Sequence, residues 1–126
     1  MNLPTIVLFL FIFPHIEPCV KNPCTTCAQA QVQPEVIDPD TEFLYTPLSS
    51  PDCVRVVVNC RRTDGIICGT IMMKAEDGNT IAKNQGATNT GTELICNKNG
   101  VFEIDDGSIV GRVECIYNNC GSIPAI

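Results

Sequence analysis

The stretch Cys53-Val-Arg-Val-Val-Val-Asn-Cys60 limits what this chain can fold into more than any other. β-Branched residues fill its centre, and these favour extended backbone. Alternation sets Val54, Val56, Val58 and Cys60 on one face and Cys53, Arg55, Val57 and Asn59 on the other. A strand rises about 3.3 Å per residue, so the two cysteines stand roughly 20 Å apart, beyond the ~7 Å Cα limit for a disulfide. A straight strand therefore forbids a Cys53–Cys60 bond. Each sulfur must fasten the strand to some other part of the chain.

The surroundings of that strand are rich in cysteine. The 126 residues include 9 Cys and no Trp, a density that marks a single disulfide-stapled domain of an oxidising compartment. At the start, Ile6 to Phe13 is an unbroken apolar run. It is too short to span a bilayer, which takes ~20 residues, but it suits the core of a secretory signal. Residues 1–19 are expected to be a signal peptide, with cleavage somewhere between Glu17 and Val20. Removal of Cys19 leaves Cys24, Cys27, Cys53, Cys60, Cys68, Cys96, Cys115 and Cys120, an even set that can pair completely. Retention of Cys19 would leave an odd thiol, available to a partner chain. No later apolar run suits a membrane anchor, and no hydrophobic tail suits lipid anchoring, so a secreted, extracellular protein is expected.

Residues 20–52 are broken by Pro23, Pro34, Pro39, Pro47 and Pro51, and only Phe43 to Thr46 has strand character. They read as an extended arm anchored by Cys24 and Cys27, leaving residues 53–120 as the core. Asp64-Gly65 reads as a two-residue hairpin turn. That register sets Cys60 beside Gly69, Val58 beside Ile71, Val56 beside Met73 and Val54 beside Ala75, all apolar or small. The other face pairs Asn59 with Thr70 and Val57 with Met72, and sets Arg55 against Lys74 at a cost of a few tenths of a kcal/mol. Cys60 then points inward, with Cys53 and Cys68 on the outer face.

Further turns are expected at Asp77-Gly78, leading to Thr80–Lys83, at Asn99-Gly100, and at Asp105-Asp106-Gly107. Residues 84–91 read as a polar loop. In a last strand from Ser108 to Tyr117, residues Ile109, Val113, Cys115 and Tyr117 share a face, which turns Cys115 inward. The facing of Cys96 depends on whether the turn after it holds two residues or a bulge, so it stays open. About seven short strands with turns every 8–12 residues indicate an all-β fold. The architecture expected is a small disulfide-stapled antiparallel β-sandwich with an extended N-terminal arm. Inward Cys60 and Cys115 would be placed to join its two sheets.

The order Cys24-x-x-Cys27, Cys53, Cys60, Thr92-Glu-Leu-Ile-Cys96-Asn-Lys-Asn-Gly100 and Val113-Glu-Cys115 resembles the six-cysteine extracellular domain described from nematode proteins. The likeness covers residues 24–115, and Leu-x-Cys-Asn-x-Asn-Gly is its most specific part. Where that family carries Trp after the turn, this chain has Val101-Phe102. Cys68 and Cys120 lie outside the six, as a candidate additional bridge. The family is of unknown function and is presumed extracellular. The resemblance implies a bond between the first and third cysteines, here Cys24 and Cys53, and it implies no catalytic residue and no ligand.

The residues that could carry chemistry read mostly as structural. The formal charge of −6 disfavours nucleic acid, which needs a basic face. Cys24-Thr-Thr-Cys27 lacks the βαβ context of a redox motif, and zinc would need ligands from other cysteines held reduced. The only histidine is His15, inside the expected signal, which removes the usual Ser-His and Cys-His systems. Glu103, Asp105 and Asp106 are candidates for calcium or for acid–base work, although carboxylates at a turn are usually solvated. Arg61-Arg62 reads as a solvated hairpin end, and Asn118-Asn119-Cys120 is at best a rare glycosylation variant. The expected protein is a secreted, disulfide-rich binding or structural module with no catalytic activity, no metal and no cofactor. Its expected partner is an extracellular protein. The alternative is an inhibitor or toxin-like effector that presents the loop at 84–91.

Overall fold

The computed structural model describes residues 23–121. The expected signal peptide and Cys19 lie outside them. The chain forms β1 (Thr41–Pro47), β2 (Arg55–Arg62), β3 (Cys68–Lys74), β4 (Thr80–Ala87), β5 (Asn89–Cys96), β6 (Phe102–Glu103), β7 (Ile109–Val110) and β8 (Glu114–Cys120). One sheet has the order β1-β2-β5-β6-β7 and the other β4-β3-β8, and the pairings within both are antiparallel. The all-β expectation holds, with four disulfides fastening the two sheets and their borders.

The valine strand is central, but its neighbours differ from the hairpin expected at Asp64-Gly65. β2 pairs with β1, Phe43 opposite Cys60, and with β5, Thr92 opposite Val58. It does not pair with β3. A type I′ turn needs positive φ at both central residues, whereas here Gly65 (φ 76°) has it and Asp64 does not. Asp64 instead accepts the Ile66 N–H at 3.0 Å and an Arg62 Nε–H at 3.1 Å. The link from Thr63 to Ile67 thus carries the chain into the second sheet. The expected inner faces are correct even so. Val56, Val58 and Cys60 are fully buried, as are Ile71 and Met73, with Ala75 nearly so. Those residues meet across the interior, not side by side in one sheet.

Other boundaries shift for local reasons. Residues 84–91 are strand and not loop: β4 runs to Ala87, Thr88 crosses between sheets, and β5 begins at Asn89. The middle of β4 lies exposed on a sheet edge, so its polar residues carry no alternation that would betray a strand. The expected strand from Ser108 to Tyr117 is cut at Gly111–Val113 into β7 in one sheet and β8 in the other. The cut reverses the facing upstream, so Val110 is buried and Ile109 is 51% exposed. Cys68 has the parity of Thr70 and Met72, opposite Ile71, yet it is fully buried and bonded to Cys120, its direct neighbour in the β3–β8 ladder.

The N-terminal arm, expected to be anchored by Cys24 and Cys27, is joined to the core by more than its cysteines. β1 lies against β2 over seven positions, Val32 is fully buried, and its carbonyl accepts the Val113 N–H at 3.0 Å. A boundary at residue 52 therefore cuts through one hydrophobic cluster. In antibody domains a Trp packs on the inter-sheet disulfide. Here Phe102, Ile71, Met73 and Leu94, all fully buried, supply the bulk of the interior.

Two substitutions test this arrangement. A Cβ at Gly91 would lie 2.4 Å from the Val58 carbonyl oxygen, so Gly91→Ala should cost about 1–3 kcal/mol in urea unfolding. Replacing Cys60 and Cys115 together by alanine should cost about 2–4 kcal/mol, read the same way, because their bond closes a loop with a sequence separation of 55.

Candidate functional site

The half-cystines account for most of the residues singled out above. Cys24 is bonded to Cys53, the pair that the resemblance implies, with Cα atoms 4.9 Å apart. Cys27 is bonded to Cys96 and Cys60 to Cys115. The two cysteines of the Cys24-Thr-Thr-Cys27 motif therefore hold different segments. Cys96 turns inward, opposite the fully buried Phe102. Its facing follows from the turn: the Asn97 N–H donates to the Val101 carbonyl at 2.8 Å, leaving Lys98, Asn99 and Gly100 as a three-residue loop. Gly100 takes the left-handed position (φ 75°), and the odd count reverses the parity that a two-residue loop would give. The N-terminal segment grips this turn, for Gln31 Nε2–H donates to the Gly100 carbonyl at 2.9 Å.

The charged candidates are distributed and not convergent. Glu103 accepts from Asn97 Nδ2 at 3.2 Å, while Asp106 accepts the Ser108 N–H at 2.8 Å in the β6–β7 turn. Bonding to Ser108, by side chain and then by backbone, holds the Asp106 carboxyl below its usual range. Asp105 is exposed in the same turn. Among the described residues no group of three or more His, Cys, Asp or Glu is placed to hold a metal ion. Arg61 is paired with Glu42 at 2.7 Å, Arg62 with Asp64, and Arg55 with Glu93. The hydrogen bond from Arg62, then that from the Ile66 backbone, holds Asp64 below the usual carboxylate range. Burial pushes the Tyr45 and Tyr117 phenols up, a hydrogen bond with Thr41 partly opposing this at Tyr117.

A cleft of about 360 Å³ opens where three distant segments meet. Buried Pro34 and Val113 line its base, and Val36, 74% exposed, stands at its lip. Glu35, Glu76, Glu114 and Arg112 complete the wall. Arg112 Nη1–H donates to the Gln33 carbonyl at 3.0 Å, and its Nε lies 3.9 Å from Glu35. The Glu76 side chain lies against Gly111, where a Cβ would come within 2.5 Å of Oε2. Sequence reasoning missed this site, because residues 34–36, 76 and 111–114 share no local pattern. The apolar pair Val36-Ile37 set between Glu35 and Asp38 was the one visible signal.

A family model described as a domain of unknown function (DUF281) matches residues 51–102, from the approach to β2 through the first residue of β6. That covers less than half of the chain and leaves out the strap carrying Val36. No curated protein and no solved structure matches the chain.

The titrating groups set a pH window. Asp64 and Asp106 have folded pKa values below their unfolded ones, so their contribution is present above about pH 4 and is lost as pH falls through the folded values. Tyr45 and Tyr117 have raised values, so the stability tied to their neutral forms is present below about pH 10 and is lost on further rise. Thermal melts should show a plateau between these limits. Asp64→Asn should flatten the acid limb, and Tyr117→Phe the alkaline limb.

Proposed function

We propose that the chain is a secreted six-cysteine-type module that acts by binding or as a structural component, without catalysis. The observation that carries this reading is the closure of the bonding pattern. Cys24, Cys27, Cys53, Cys60, Cys96 and Cys115, the six that carry the family resemblance, bond only among themselves. The two outside it, Cys68 and Cys120, bond to each other. A full set of bonds of this kind belongs with folding in an oxidising compartment. The match to an uncharacterised domain family is in keeping with that, and so is the engagement of Glu103 and Asp106 in turn hydrogen bonds. An effector reading loses its expected instrument, since residues 84–91 form strand backbone and not a projecting loop.

Mass spectrometry of unreduced protein collected from the medium of expressing cells tests the reading. The expected result is a mature N-terminus within residues 17–20, four bonds with the pairing above, and no free thiol. Retention inside the cell, a Cys53–Cys60 bond, or a hydrolytic activity abolished by Glu103→Gln or Asp106→Asn would overturn it.

A further inference from the structure

The module reading leaves open where a partner would sit, and the cleft at Pro34, Glu76 and Val113 has a chemistry that selects one. Its base is apolar and its wall carries three carboxylates against one guanidinium. Arg112 is already engaged, with Gln33 and Glu35. Among the described residues the side-chain carboxylates of Glu76 and Glu114 form neither a hydrogen bond nor an ion pair, although Lys74 stands opposite Glu114 in the β3–β8 ladder. Lysine and arginine side chains lay an apolar stem along hydrophobic surface and present a charged head beyond it. An apolar base beneath unpaired carboxylates is the complement of that shape.

We propose, building on the module reading, that this cleft is a docking surface for a basic, apolar-flanked segment of an extracellular protein partner. The stem of one Arg or Lys would lie over Pro34 and Val113, and its head between Glu76 and Glu114. Neighbouring apolar residues of the partner would cover Val36 and Ile37, which are 74% and 49% exposed. Three features fit this use. The strap that carries Val36 is fixed at one end by buried Val32 and at the other by β1, so its exposed residues are held in place before binding. Gly111 leaves room for the Glu76 side chain to lie against the backbone. The formal charge of −6 steers a basic partner toward the protein.

The probes are two capped peptides of equal length, one alternating leucine with arginine and the other leucine with glutamate, titrated into full mature protein at fixed ionic strength. Amide NMR should show saturable shifts at residues 33–36, 76 and 111–114 with the arginine peptide alone. The E76Q/E114Q double variant should bind it about fivefold more weakly, as expected for loss of two exposed ion pairs. Asp105→Asn, remote in the β6–β7 turn, should bind like the unaltered protein. Shifts scattered over carboxylates generally, equal affinity in E76Q/E114Q, or no binding at all would overturn the cleft assignment. The secreted state and the disulfide map decide the module reading separately. A natural partner still held by E76Q/E114Q would leave that reading standing and remove only the cleft.

Discussion

The bond between Cys60 and Cys115 joins two sheets that share no strand pairing, and the interior is arranged around it. Cys60 ends the inward series Val56, Val58, Cys60 on β2, while Cys115 stands opposite Met73 in the β3–β8 ladder. The bond therefore fixes which inner face meets which. A small domain buries a limited share of its surface and gains little margin from its core alone. Restricting the unfolded chain by cross-links raises stability without more apolar residues, and long loops gain most in the chain-entropy account. The separations of 29, 69, 55 and 52 residues mean that every bond here closes a long loop.

The remaining three bonds act at the borders. Cys24–Cys53 and Cys27–Cys96 fasten the N-terminal segment beside the start of β2 and the end of β5. The same corner is closed by backbone bonds, with the Val54 N–H donating to the Cys24 carbonyl and the Cys96 N–H to the Val54 carbonyl, both at 2.9 Å. Cys68–Cys120 clamps the far end of β8, an edge strand. Edge strands and irregular segments open first in a fold of this size. The cross-links stand where a sheet of three strands and a proline-broken segment need them.

What the sequence discloses depends on the range of the interaction that decides each feature. Facing within a strand is local, so the burial of Val56, Val58, Cys60, Ile71 and Met73 is legible from alternation alone. Partner choice between strands is not local. The inner-face residues that a hairpin at Asp64-Gly65 would align are apolar whether they lie side by side or across two layers. The link at 63–67, five residues in place of two and without positive φ at Asp64, accompanies the second outcome. The turn at Lys98–Gly100 shows the same limit on a smaller scale, for one additional residue turns Cys96 from one face to the other. The second half of β4, beyond the Thr80–Lys83 stretch that the sequence indicates, was illegible for a different reason. Residues 83–86 of this edge strand are exposed, so Asn84-Gln85-Gly86 reads as loop although it pairs with Thr70 and Ile71.

The cleft lies at the far limit of that scale. Glu76 comes from the β3–β4 turn, Arg112 and Glu114 flank the passage into β8, and Pro34 belongs to the strap before β1. Their meeting depends on Val32 docking against Val113, itself a consequence of the chain leaving one sheet at β7 and joining the other at β8. The passage through Gly111–Val113 thus reverses the facing of Ile109, seats the strap and shapes the cleft in one step. A change of sheet also brings distant segments together, so that Glu76 and Arg112 stand outside the ladders beside Glu114 at the start of β8. Carboxylates there need not be satisfied by neighbours in the fold. Glu42, Asp64 and Glu93 have ion-pair partners within the fold, and Glu76 and Glu114, in the cleft, do not. Two carboxylates without an ion-pair partner, above the apolar base of Pro34 and Val113, are the physical ground for looking for a partner at this place.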